Sequence, residues 1–148
     1  MGQPNTMKSF ALVLVQFATL GLIAITGPIF APNPILLAVE LLGIGLGVWA
    51  VFTIGIGKFN ILPDPLTYSR LVRRGPYRLI RHPMYLGLLL VSLPLVVTEF
   101  TTLRLALWLL LLVDLLLKIG YEESLLVGRL VDYKEYMEHS YRLVPFVY

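Results

Sequence analysis

Gly75-Pro76-Tyr77-Arg78-Leu79-Ile80-Arg81-His82-Pro83-Met84-Tyr85-Leu86-Gly87 carries a basic loop into an apolar helix. Pro83 suits the first helical position, where its missing N–H costs nothing. The unpaired N–H groups of that first turn then face the loop, beside Arg78, Arg81 and His82. A helix start next to guanidinium groups attracts a carboxylate or a phosphate. His82 reads as a hydrogen-bonding group rather than an anion clamp. Arg81 and His82 are the side chains nearest to any chemistry, but the chain shows neither an acid–base dyad nor a nucleophile.

Almost everything around this segment is lipid-soluble. Apolar residues make up 57% of the 148 and charged residues only 14%, against about 25% charged in an average soluble domain. The length suits a single domain, 1–148. With no cysteine, disulfides, thiolate metal sites and a Cys nucleophile are excluded. The two histidines, His82 and His139, lie far apart, so no metal is expected. The net charge of +3 is modest, and no nucleic-acid partner is expected.

The pattern predicts an all-α membrane protein of about four spans plus a C-terminal amphipathic helix. The spans read as about 10–30, 34–56, 83–98 and 103–119. The third, at roughly 16 residues, gives about 24 Å against a hydrocarbon core of about 30 Å. The last two spans therefore read as a tilted hairpin or as two crossings. The first span is too long for a signal-peptide core, and its end near Gly27-Pro28 is not a convincing cleavage site. Eleven of the 12 Lys and Arg residues flank the spans on one side, and only Arg104 falls on the other. The positive-inside rule then puts both termini and the loop 57–82 in the cytoplasm, as expected for a bacterial-type inner membrane. Pro63, Pro65 and Pro76 make that loop an extended connector. From Glu122 to His139, Leu126, Leu130, Tyr133 and Met137 recur at helical spacing and predict one apolar face.

Each polar constellation has a structural and a functional reading. Arg70, Arg73 and Arg74 are mostly topology signals. Asp114, Lys118 and Glu122 are spaced by four, which predicts an ion-pair ladder around Lys118. Glu122 stands between ladder and ligand. Glu123 has no basic residue three or four positions away and reads as a free carboxylate, open to an ammonium or ribose hydroxyls. Glu40 is expected to pair with Arg104 across the outer side. Gly43, Gly45 and Gly47 point to close helix packing, and Gly55 and Gly57 to a close backbone approach to a ligand. Tyr133 and Tyr136 read as interface anchors or substrate contacts, and Arg142 as a second anion contact.

Gly75-Pro76-Tyr77-Arg78-x-x-Arg81-His82-Pro83-Met84-Tyr85-x-Gly87 resembles the signature of integral-membrane methyltransferases of the isoprenylcysteine carboxyl methyltransferase and phospholipid methyltransferase type. Glu122-Glu123-x-x-Leu126, Tyr133-x-x-Tyr136 and Arg142-Leu143-x-Pro145 continue the likeness. Gly57-Lys58-Phe59-Asn60-Ile61-x-Pro63-x-Pro65 is similar to a bacterial branch. The resemblance implies S-adenosylmethionine as cofactor, released as S-adenosylhomocysteine. It implies a cofactor site formed by Tyr77, Arg78, Arg81, His82, Tyr85, Gly87, Glu122, Glu123, Gly55 and Gly57. It further implies a lipid or lipid-linked acceptor bearing a carboxylate, an amine or a hydroxyl, with Arg142, Tyr133 and Tyr136 toward that substrate.

Two other readings compete. Membrane sterol reductases carry a similar Arg-His-x-x-Tyr-x-Gly turn and use NADPH, but they have Asn and an acidic residue where Met84 and Leu88 stand. A small four-span transporter coupled through Glu40 accounts for that acid, but not for the Arg-His-Pro and Glu-Glu motifs.

Overall fold

The computed structural model describes residues 5–55 and 71–148. Gly57, Lys58, Arg70 and the stretch 57–65 lie outside the described residues. The chain runs α1 (Thr6–Ile25), α2 (Pro34–Ile54), a 3-10 turn (Gly75–Arg78), α3 (Pro83–Thr98), α4 (Thr102–Arg129) and α5 (Tyr133–Glu138). Among the described residues the only β-type pairing is an isolated parallel bridge, Ile80 to Tyr141. Two helices, α1 and α2, are long and apolar enough to cross a membrane.

Local chemistry sets the helix ends. The Asn5 side chain accepts from the Lys8 amide, starting α1 earlier than hydropathy alone suggests. The helix ends at Ile25, and Thr26, its C-cap, gives both its amide and its hydroxyl to the Leu22 carbonyl. Asn33 caps α2 through Ile35 and Leu36, with Pro34 in the first turn. Gly55 closes α2 at φ 104°, a backbone that favours glycine. Thr101 caps α4 through the Arg104 amide.

α2 packs chiefly on α3, and α1 chiefly on α4. Gly43 and Gly87 allow the first contact: a Cβ on Gly87 would lie 2.9 Å from the Gly43 carbonyl oxygen. Between α1 and α4 the usual polarity is inverted. Ser9, Gln16 and Thr19 point inward against α4, while Phe10, Leu14 and Phe17 point outward. Leu89, Leu111, Leu115, Ile119 and Leu143 form the main apolar core.

Three expectations are corrected. The helix expected over 122–139 does not exist as one element. α4 continues unbroken to Arg129, the chain turns extended at Leu130 (φ −113°, ψ 114°), and only the short α5 follows. The turn lets Tyr133 and Tyr136 bury beneath the 3-10 turn, and Arg73 holds it by donating to the Asp132 carbonyl at 2.9 Å. Glu40 does not pair with Arg104: it accepts from the Ala31 amide at 3.0 Å. Arg104 instead donates to the carbonyls of Ile23 and Leu95 and to the Thr26 hydroxyl. Two of those acceptors sit in the last turns of α1 and α3, where helix dipoles favour a cation. Finally, Lys118 makes no ion pair among the described residues. Its ammonium donates to Gln16 Oε1 and lies 5.2 Å from the Tyr85 ring centroid.

Candidate functional site

The 3-10 turn is seated on α2 by its glycine. Gly75 has φ 57°, and a Cβ there would fall 2.6 Å from Thr53 Oγ1. Only glycine satisfies both the left-handed backbone and that contact. From the other side the C-terminal segment pairs with the chain leaving the turn. Tyr141 donates its amide to the Leu79 carbonyl at 2.9 Å and accepts from the Arg81 amide at 2.8 Å. The His82 amide donates to the Arg142 carbonyl at 3.1 Å. Tyr136 gives its hydroxyl to the Tyr77 carbonyl. Arg81 and His82 thus stand on backbone fixed from two sides. His82 is also the N-cap of α3, yet its side chain makes no capping bond and remains available to the site.

Glu123, on α4 beyond the apolar stretch, is the hub. Arg81 Nε donates to Oε1 at 2.7 Å and Arg142 Nε to Oε2 at 2.8 Å. His82 Nε2 lies 3.4 Å from Oε1, within ion-pair reach but without hydrogen-bond geometry. Burial acts to raise the Glu123 carboxyl, but His82 and Arg81 outweigh it and hold the group down to about 2. The free carboxylate expected at Glu123 is therefore an occupied one. Its partners lie far away in sequence, which a search at helical spacing misses. Arg81 is committed further, donating Nη1 to the Met137 and Ser140 carbonyls.

Glu122 is different. Its side chain is 29% exposed, against 4% for Glu123. It accepts from the Tyr85 hydroxyl at 3.0 Å and lies 3.7 Å from His82 Nδ1. The His82 and Tyr85 rings stack, with centroids 5.5 Å apart and planes within 2°.

These groups line a cavity of about 280 Å³ where all four long helices meet the turn. Its polar wall is Tyr77, Arg81, His82, Tyr85 and Glu122. Its apolar wall includes Phe17 from α1, Val51 and Ile54 from α2, and Leu88 from α3. Two buried polar atoms here, the Tyr77 hydroxyl and His82 Nε2, have no hydrogen-bond partner. Burial, then the nearby Glu122 charge, pushes the Tyr77 hydroxyl far above its ordinary range, so it stays a neutral donor.

Of the residues singled out in the sequence, Tyr77, Arg81, His82, Tyr85 and Glu122 converge on this cavity. Arg142 and Glu123 stand directly behind it. Arg78 is exposed on the 3-10 turn and Gly87 is spent on packing against α2. Gly55 closes α2 next to the lining residue Ile54. Tyr133 and Tyr136 are buried against each other, ring centroids 5.8 Å apart, supporting the turn from below. Sequence reasoning missed Gln16, Gly47 and Met84, which also line the cavity. The apolar liners carry no signal, since lipid-facing and ligand-facing residues look alike. Gln16 did carry one: a lone amide in an apolar span.

No curated protein matches the chain. The model of the isoprenylcysteine carboxyl methyltransferase (ICMT) family matches residues 36–128, from the start of α2 almost to the end of α4. That stretch is well over half of the chain and holds five of the polar cavity residues together with Glu123. α1 and the segment bearing Arg142 lie outside it. With its Arg-His-Pro turn and Glu-Glu pair inside the matched stretch, the chain belongs to the isoprenylcysteine carboxyl methyltransferase family of membrane methyltransferases.

Proposed function

We propose that the protein transfers a methyl group from S-adenosylmethionine to a lipid or lipid-linked acceptor at the cytoplasmic face of the membrane. The observation that carries this is the cavity: one wall holds an arginine, a histidine and a half-open carboxylate, the other is apolar. The residues fit the cofactor. Glu122 offers a carboxylate to its ammonium, and the start of α3 beside Arg81 suits its carboxylate. The unpartnered Tyr77 hydroxyl and His82 Nε2 offer hydrogen bonds to its polar atoms.

When bound, the cofactor supplies an electrophilic methyl group, transferred by in-line displacement. The protein's share is positioning and the exclusion of water. An ionised acceptor needs no general base, in keeping with the absence of a nucleophile–base pair among the described cavity residues. Phe17, Val51 and Ile54 give a lipophilic acceptor its apolar surface, reached sideways between α1 and α2.

The topology that suits this reading has four crossings with both termini in the cytoplasm. α4, at about 42 Å, is long enough to cross and to project Glu122 and Glu123 beyond the hydrocarbon. The test is to incubate membranes bearing the protein with S-[methyl-³H]adenosylmethionine and extract the lipids. Label in an organic-soluble product, reduced at least tenfold by Glu122→Gln, is the expected result. No label above membranes lacking the protein, from a folded and membrane-inserted sample, would overturn it.

A further inference from the structure

The segment 142–148 forms a closed loop of which the cofactor site uses only Arg142. Leu143 and Val144 both give their amides to the Tyr148 carbonyl, at 2.8 and 3.0 Å, and Val147 and Tyr148 give theirs to the Val144 carbonyl. Arg142 fastens the loop to the site, donating Nε to Glu123 and Nη1 to the Tyr148 hydroxyl. Backbone bonds packed so densely fix the loop's shape, yet what it displays is apolar. Phe146 is 83% exposed and Val147 80%. Phe146 is also the only non-glycine residue with a positive φ among the described residues, at 66°. That backbone is strained for an aromatic residue, and strain at a displayed side chain points to a binding role.

The depth of the loop indicates what it meets. Leu143 is buried in the core formed by Leu89 of α3 and Leu111, Leu115 and Ile119 of α4. Those α4 residues belong to its apolar stretch, and Glu123 lies beyond them. The residues after Leu143 therefore emerge at the edge of the hydrocarbon, where aromatic side chains are favoured. The patch continues across the 3-10 turn. The Tyr141 ring lies 5.1 Å from that of Phe146, and the Tyr141 amide donates to the Leu79 carbonyl. Leu79 and its neighbour Arg78 are both exposed. An apolar surface with a guanidinium at its rim matches an anionic lipid: acyl chains for Phe146, Val147 and Leu79, and phosphate for Arg78.

We propose that the loop 144–148, together with Leu79 and Arg78, is an anchor that dips into the bilayer on the cavity's side and binds anionic phospholipid there. The proposal rests on α4 crossing the membrane and not on the identity of the cofactor.

The chain has no cysteine, so a single introduced one carries a bimane label without ambiguity. The full chain is reconstituted in phosphatidylcholine vesicles, with or without bromine on the lipid chains, as Phe146→Cys, Val113→Cys or Val131→Cys. Val113, exposed in the middle of α4, is the lipid reference, and Val131, exposed past the end of α4, is the water reference. The labels at Phe146 and Val113 are expected to lose about half of their emission to brominated lipid, and the label at Val131 to keep nearly all of it. Brominated phosphatidylglycerol mixed into plain phosphatidylcholine should quench the Phe146 label about twofold more than the same fraction of brominated phosphatidylcholine, and Arg78→Gln should remove that excess. A Phe146 label as unquenched as that at Val131, with Val113 quenched, would overturn the anchor and show the loop covered by protein or facing water. Equal quenching by the two brominated lipids would overturn the anionic preference. Quenching at neither Phe146 nor Val113 would overturn the crossing of α4, and the anchor with it.

Discussion

Two buried arginines sit at opposite ends of the helix bundle. Among the described residues Arg104 donates only to neutral acceptors, the carbonyls of Ile23 and Leu95 and the Thr26 hydroxyl. It is sealed by Gly27, where a Cβ would lie 2.2 Å from its guanidinium. Arg81 has a carboxylate partner, borrows two carbonyls and still borders a cavity. The first arginine closes two helix ends and leaves no room for a ligand. The second is held by a carboxylate of opposite charge, and it borders the space in which the cofactor is proposed to bind. Burial alone does not distinguish a staple from a site; the partner and the adjoining void do.

The comparison can be broken in order of expected effect. Arg81→Ala leaves Glu123 buried with half its partners, which costs about 3–5 kcal/mol. Loss of a cooperative thermal transition or a large drop in midpoint, with S-adenosylhomocysteine binding abolished, is the expected outcome. Glu122→Gln removes a single charge from the cavity wall. It should weaken S-adenosylhomocysteine by about 10- to 150-fold, the range of a charged hydrogen bond of about 1.5–3 kcal/mol, while the thermal midpoint moves little. Arg104→Met leaves the Ile23 and Leu95 carbonyls with only the long bonds from Thr26 and Glu99, and costs about 1–3 kcal/mol in stability. Its S-adenosylhomocysteine affinity should match the wild type within twofold, and a tenfold loss would erase the distinction between the two ends.

The smallest effect within an accessible range concerns pH. The Glu123 carboxyl is lowered in the folded protein from 4.5 to about 2. Its contribution to stability is thus fully present above about pH 4.5 and is lost as pH falls from there toward 2. Between pH 8 and 5 the melting midpoint should owe no slope to this group, and a decline should set in only below about 4.5. In Glu123→Gln, if it folds, that acid-side decline should shrink.

Much of this was legible in the sequence. The start of α3 at Pro83 and its end at Thr98 follow from proline chemistry and hydropathy alone, and five polar residues of the cavity were named from one motif and one Glu pair. What was not legible depends on long-range partners. Glu123 looked free because helical spacing shows only partners three or four residues away, and Arg81 and Arg142 come from elsewhere in the chain. The same spacing pairs Lys118 with Asp114, whereas α1 brings Gln16 to it. The break at Leu130 was hidden because the apolar spacing runs straight through it; it is set by the burial of Tyr133 and Tyr136 under the 3-10 turn. Gly87, read as a cofactor contact, is explained by Gly43 on a helix that sequence alone could not place.

The most direct test of the central claim is a calorimetric titration of the detergent-purified protein with S-adenosylhomocysteine, beside NADPH and beside the Glu122→Gln variant. The account predicts saturable one-to-one binding of S-adenosylhomocysteine, at least tenfold weaker in Glu122→Gln, and no heat with NADPH. Binding of NADPH alone, or of neither by a folded sample, would contradict it.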